Sequence, residues 1–195
     1  MSRIPLARLV LATKNPDKLV EVSELVQRYG LTEKVVEGLH WDDVEETAST
    51  LTGNALLKAR TVSEATNEPA LADDTGLEVD ALGALPGVRT GRFAGEDATY
   101  EDNVRLLLSR LDRMIDRGAS FITVVAIVHP DGWEETAQGV LSGTIATAPR
   151  GTGGFGYDPV FEVEGRTLSE MGDGEKNLLS HRALAIENLH EQLKE

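Results

Sequence analysis

Apolar and polar positions alternate along this chain with two different periods. Residues 8–13 form a short, nearly continuous apolar run with the character of a buried strand. Asn15 is suited to cap a helix and Pro16 to open it, and Leu19, Val22, Leu25, Val26 and Tyr29 then recur at helical spacing until Gly30. Residues 34–38 predict a short strand, and a second helix is expected to bury Ala55, Leu56, Ala59 and Val62. Residues 71–80 predict strand, tight turn, strand, and residues 85–88 a further turn. Thr99 and Asp102 stand at capping-box spacing ahead of Val104, Leu107, Leu108 and Leu111. Residues 120–128 are rich in β-branched side chains, residues 129–132 suit a turn, and residues 133–148 alternate as an antiparallel partner. Residues 157–161 are strand-like, and Ser180 is placed to cap a last helix with Ala183, Ile186, Leu189 and Leu193 inside.

Composition narrows the picture. A chain of 195 residues, 41% hydrophobic, can bury a proper core, and no linker divides it, so one domain over residues 1–195 is expected. With no cysteine, disulfide scaffolds, thiolate metal sites and cysteine catalysis are excluded. The N-terminal run from Met1 to Ala12 is too short for a signal peptide or a membrane span, which leads to the expectation of a soluble, cytoplasmic protein without a membrane partner. A net charge of −14 argues against a nucleic-acid-binding face, though not against a local basic pocket with a divalent cation beside it.

Four stretches carry candidate chemistry. In residues 71–80, Asp73 and Asp74 are adjacent and must point to opposite sides of any strand they end, so one is expected to face a site while the other ties down the turn. Thr75 and Gly76 follow, a hydroxyl and a residue free to take positive φ where a phosphate approaches the main chain. The loop of Thr13, Lys14, Asn15, Pro16, Asp17 and Lys18 enters a helix N-terminus and outlines an anion site, with Glu45 and Glu46 as candidates to join any metal. Residues 151–156 satisfy G-x-G-x-x-G, but they follow a hairpin arm and precede Pro159, so the glycines are assigned to close backbone approach, with Phe155 or Tyr157 available to stack on a ring. Lys176, His181 and Arg182 surround the start of the last helix, where the helix dipole disfavours cations and a ligand would explain them.

Taken together, Ala12-Thr-Lys-Asn-Pro-Asp-Lys18, Ala72-Asp-Asp-Thr-Gly-Leu-Glu-Val-Asp80, Gly153-Gly-Phe-Gly-Tyr-Asp-Pro-Val-Phe161 and Glu175-Lys-Asn-Leu-Leu-Ser-His-Arg182 resemble the non-canonical purine nucleoside triphosphate pyrophosphatases, the Ham1-like family. The resemblance runs in order over nearly the whole chain. It implies an elongated, two-lobed α/β fold around a long mixed sheet with flanking helices, a homodimer and a Mg²⁺ requirement. The implied activity is hydrolysis of ITP, dITP and XTP to the monophosphate and pyrophosphate. By position it implies Asp74 as catalytic carboxylate and metal ligand, with Glu45 favoured over Glu46 as the second acid. It implies substrate binding by Thr13 to Lys18, by Thr75 and by a base-contacting set of Phe155, Gly156, Tyr157, Asp158, Lys176, His181 and Arg182. Gly53 departs from the glutamate usual before Asn54.

Overall fold

The computed structural model describes residues 3–195, without the side chain of Asp173. Met1 and Ser2, where the N-terminal run begins, lie outside the described residues. The chain folds in the order β1 (Leu9–Leu11), α1 (Pro16–Arg28), β2 (Val35–Val36), α2 (Leu51–Thr66), β3 (Ala70–Val79), β4 (Leu85–Gly87), α3 (Tyr100–Arg110), β5 (Gly118–Val128), β6 (Glu134–Ile145), β7 (Phe161–Val163), β8 (Arg166–Thr167), α4 (Asp173–Leu179) and α5 (His181–Lys194). Among the described residues the strands make one mixed eight-stranded sheet, ordered β2-β1-β3-β5-β6-β7-β8 with β4 on β3. Pairing is parallel at β1 with β2 and β3, and antiparallel at β3 with β4 and along β6, β7 and β8. The fold is therefore α/β, a long mixed sheet with helices. The chain divides into two compact units: residues 1–74, 123–139 and 181–195 form the first, and residues 75–122 and 140–180 the second.

In the first unit, strand alternation sorts side chains between the sheet's two faces. Leu9, Leu11, Leu71, Val125 and Ile127 pack with the inner stripes of α1 and α5. Val10, Ala12, Ala70, Ala72, Val124, Ala126 and Val128 pack instead with Ala55, Ala59 and Val62 of α2. Helix α5 lies so close to β6 that a Cβ at Gly139 would overlap the backbone of His181 and Ala185, so only glycine permits this approach. Helix α1 starts as its sequence requires: Asn15 accepts from the Asp17 and Lys18 amides, with Pro16 in the first turn.

The second unit centres on Leu77, Val79, Val104, Leu107, Leu111, Phe121, Tyr157, Phe161 and Leu168. The Phe121 and Phe161 rings lie 4.5 Å apart. Thr99 and Asp102 form the expected reciprocal capping box of α3.

Three local expectations are corrected. Residues 70–79 are one unbroken strand with no turn, and Gly76 is not among the glycines at positive φ, because sheet pairing and side-chain partners for both aspartates outweigh their turn preference. Residues 85–87 are a strand on β3, with Pro86 at a ladder position that needs no donor of its own. Residues 157–160 are a turn closed by bonds from the Val160 and Phe161 amides to the Tyr157 carbonyl, and strand begins only at Phe161. Residues 173–179 are a further helix, and Ser180, extended and fully buried, stands directly before α5, where the sequence places a cap.

Candidate active site

Alternation along β3 decides what the two central aspartates do. Asp73 continues the face of Leu71 and meets α1 and α5. Its Oδ2 lies 3.1 Å from Lys18 Nζ and accepts from Arg182 Nε at 3.1 Å. Arg182 Nη1 in turn donates to Glu21 Oε2 at 2.8 Å, so α1, β3 and α5 are joined by one buried chain of ion pairs. Burial alone would push the Asp73 carboxyl up, but Lys18, Arg182 and Lys58 together hold it well below the usual carboxylate range. Asp73 is thus a fixed anion that anchors the loop of residues 13–18.

Asp74 continues the face of Ala72 and meets α2. Asn54 and Lys58, one turn apart on that helix, take one oxygen each: Asn54 Nδ2 donates to Oδ2 at 3.1 Å and Lys58 Nζ to Oδ1 at 3.3 Å. Asn54 also accepts from the Ala48 amide at 2.9 Å, which ties the acidic segment before α2 to the same place. Lys58 Nζ then reaches Glu46 Oε1 at 2.7 Å. Between the two glutamates weighed from the sequence, the structure therefore brings Glu46 to Asp74, whereas Glu45 is exposed. Burial raises the Asp74 carboxyl above its usual value, Glu46 adds to the rise, and Lys58, Lys18 and the Asn54 bond offset it only in part. A carboxylate raised in this way and held by oriented donors is the usual profile of an acid-base group.

The loop before α1 is less open than its sequence suggested. Asn15 uses the Asp17 and Lys18 amides for its own cap, Thr13 accepts from the Asn15 amide at 3.2 Å, and Lys14 pairs at 2.6 Å with exposed Asp43. What remains is a pre-shaped turn with Lys18, about a fifth exposed, aimed along Asp73. His181 is buried in this unit, its Nδ1 2.6 Å from Thr123 Oγ1.

The second unit holds a different set. Asp158 Oδ2 accepts from Lys176 Nζ at 2.7 Å and from the Phe155 amide at 2.9 Å, and both charged side chains are buried. A Cβ at Gly154 (φ +70°) would overlap the Asp158 carboxylate, so the glycine lets the loop wrap that acid. Lys176 Nζ stands 4.8 Å from the centroid of the half-buried Phe155 ring, and the Tyr100 ring lies 6.0 Å from it. Tyr157 is spoken for: its hydroxyl donates to the Thr90 carbonyl at 3.0 Å and burial pushes its pKa up. Of the two aromatics weighed as a stacking surface, Phe155 is the one on offer. Lys176 has Asp158 and Phe155 as partners, and Arg182 has Glu21 and Asp73.

Asn54, Lys58, Glu21 and Tyr100 were not singled out from the sequence. Their signal was present only as polar residues at helical spacing beside an apolar stripe: Asn54 and Lys58 flank Ala55 and Ala59, and Glu21 precedes Val22. Among the described residues no group of three or more His, Asp and Glu side chains gathers as a metal cage, and no helix is long and apolar enough to cross a membrane.

An α/β sheet, a capped loop with a lysine behind it and a buried, amide-held aspartate define a class of phosphate-handling proteins. Comparison makes the class specific: the chain belongs to the Ham1 family, whose model matches residues 9–192. A dITP/XTP pyrophosphatase of Symbiobacterium thermophilum is 48% identical over 192 residues, covering 95% of this chain and 94% of that one. One of Porphyromonas gingivalis is 47% identical, covering 95% and 97%. The solved structure of a HAM1 protein from Coxiella burnetii superposes with a TM-score of 0.83 at 39% identity, covering 96% and 98%.

Proposed function

We propose that this protein is a nucleoside-triphosphate pyrophosphatase that hydrolyses the non-canonical purine nucleotides dITP, XTP and ITP to the monophosphate and pyrophosphate. The observation that carries the reading is Asp74, a buried carboxyl raised by its surroundings and aimed by Asn54 and Lys58. The names of the Symbiobacterium and Porphyromonas relatives supply the substrate class.

In this reading Asp74 accepts the proton of a water molecule that attacks the α-phosphorus, and the bond to the α–β bridging oxygen breaks. Lys18 and the loop of Thr13, Lys14, Asn15, Pro16 and Asp17 receive the departing pyrophosphate, and the Thr75 hydroxyl, next to Asp74, donates to a phosphate oxygen. Two acids bridged by Lys58, rather than three or more, suit Mg²⁺, which is usually held by one or two carboxylates together with substrate phosphates. Asp74 and Glu46 are the pair that would hold it, with Glu46 taking the place first given to Glu45. When bound, such an ion neutralises phosphate charge and polarises phosphorus.

The base is assigned to Phe155, Gly156, Tyr157, Asp158 and Lys176, with the Phe155 ring as stacking surface and Lys176 as donor to the 6-carbonyl that distinguishes hypoxanthine and xanthine from adenine. His181 and Arg182 complete the substrate-binding set from α5, the imidazole held in place by Thr123 and the guanidinium by Glu21 and Asp73. A homodimer in the cytoplasm, acting without nucleic acid, completes the proposal, and a light-scattering mass of one chain would refute the dimer. Product analysis tests the reaction itself: dITP must yield dIMP and pyrophosphate, and release of dIDP with inorganic phosphate would sink it.

A further inference from the structure

Lys58 is an unusual neighbour for a metal site. Its side chain is 13% exposed, with the ammonium 2.7 Å from Glu46 Oε1 and 3.3 Å from Asp74 Oδ1, while the other Asp74 oxygen is held by Asn54. The ammonium therefore lies between the two acids that would hold a divalent cation. Asp74, Asp73 and Glu46 surround the ammonium with acidic groups.

Charge balance points the same way. Among the described residues, the ion pairs running through the two aspartates join four carboxylates, Glu21, Glu46, Asp73 and Asp74, to three cations, Lys18, Lys58 and Arg182. A single residual negative charge attracts a divalent ion weakly, and bringing that ion beside Lys58 sets like charges a few ångströms apart. A triphosphate carrying its own cation meets no such obstacle, because its negative charge compensates both.

We propose that Lys58 holds the place of the divalent cation in the nucleotide-free protein, so that the ion binds poorly alone and enters with the triphosphate. The proposal rests on reading Glu46 and Asp74 as the metal-facing acids. It gives the lysine a definite service: the two acids are held in place between turnovers, without a resident metal.

The test is Mn²⁺ binding to the full-length, metal-stripped protein, followed by the electron paramagnetic resonance signal of the free ion. Without nucleotide, Lys58→Met should bind Mn²⁺ at least about tenfold more tightly than the native chain. An affinity equal to or below the native one overturns the proposal. Should the Met variant fail to fold, Lys58→Gln, which keeps a polar end in the pocket, carries the same two outcomes. Adding dITP with a methylene in place of the α–β bridging oxygen should raise native Mn²⁺ affinity, and native affinity that is equally tight with and without the analogue again overturns it. The acids are judged separately: if Glu46→Gln and Asp74→Asn leave Mn²⁺ binding unchanged in the presence of the analogue, the ligand assignment itself is wrong.

Discussion

Asp73 and Asp74 are neighbours on one unbroken strand, yet different side chains hold them: Lys18 and Arg182 pair with the first, Asn54 and Lys58 with the second. Strand geometry turns two identical side chains into two different tools. One is an anchor held below the usual carboxylate range, and the other is a carboxyl raised above it. Environment, not residue type, sets the division of labour.

Replacement of Asp74 by Asn should lower turnover of dITP at least about a hundredfold while nucleotide binding persists. The same change should not destabilise the metal-free protein at neutral pH. A carboxyl whose folded pKa is raised contributes stability that is present below its unfolded pKa and lost as pH rises through the folded one, so at neutral pH the native Asp74 is a burden. Thermal melts in chelator check this, and a large fall in midpoint for Asp74→Asn would contradict it.

Asp73 carries the opposite sign. Its depressed pKa contributes stability above the unfolded value of about 3.9, lost as pH falls towards the folded one. The stability gap between the native chain and Asp73→Asn should therefore be widest near neutrality and close progressively in acid. Removing Arg182 instead leaves Glu21 and Asp73 buried without it, a change that typically costs about 3–5 kcal/mol. Urea midpoints across pH measure both, and an Arg182→Ala variant as stable as the native chain would show that the ion-pair chain contributes nothing.

What was legible in the sequence was whatever local chemistry decides. Asn15 with Pro16, and Thr99 with Asp102, marked the starts of α1 and α3 because capping partners lie within three residues. The Asp73-Asp74 turn was misjudged because adjacent aspartates before Thr75 and Gly76 do favour turns when nothing else intervenes. Here Arg182, 109 residues on, and Lys58, sixteen residues back, provide partners that keep the strand extended. The sequence favours Glu45, and the pairing of Lys58 with Glu46 is visible only in the fold. Of the base-binding set, Phe155 and Tyr157 were equivalent as residue types, and the buried Thr90 carbonyl that claims Tyr157 lies 67 positions away.

Chelation should abolish pyrophosphate release and added Mg²⁺ should restore it, because a chain of net charge −14 needs help to hold a tetra-anionic substrate beside two acids. Full activity in excess EDTA would remove the metal from the proposal and leave Lys58 as the lasting counter-ion of Asp74.

The most direct test of the central claim is kcat/KM for pyrophosphate release across dITP, XTP, dATP and dGTP under one set of conditions. A pocket offering donors such as Lys176 to a 6-carbonyl leaves the adenine amino group facing donors, and a site with several unmet polar groups reaches discrimination of about 10⁴. Guanine shares that carbonyl, so its rejection must come from the 2-amino group near Phe155 or Asp158. The expected result is that dITP and XTP are turned over far faster than dATP and dGTP. Comparable values for all four would contradict the assignment to non-canonical purines.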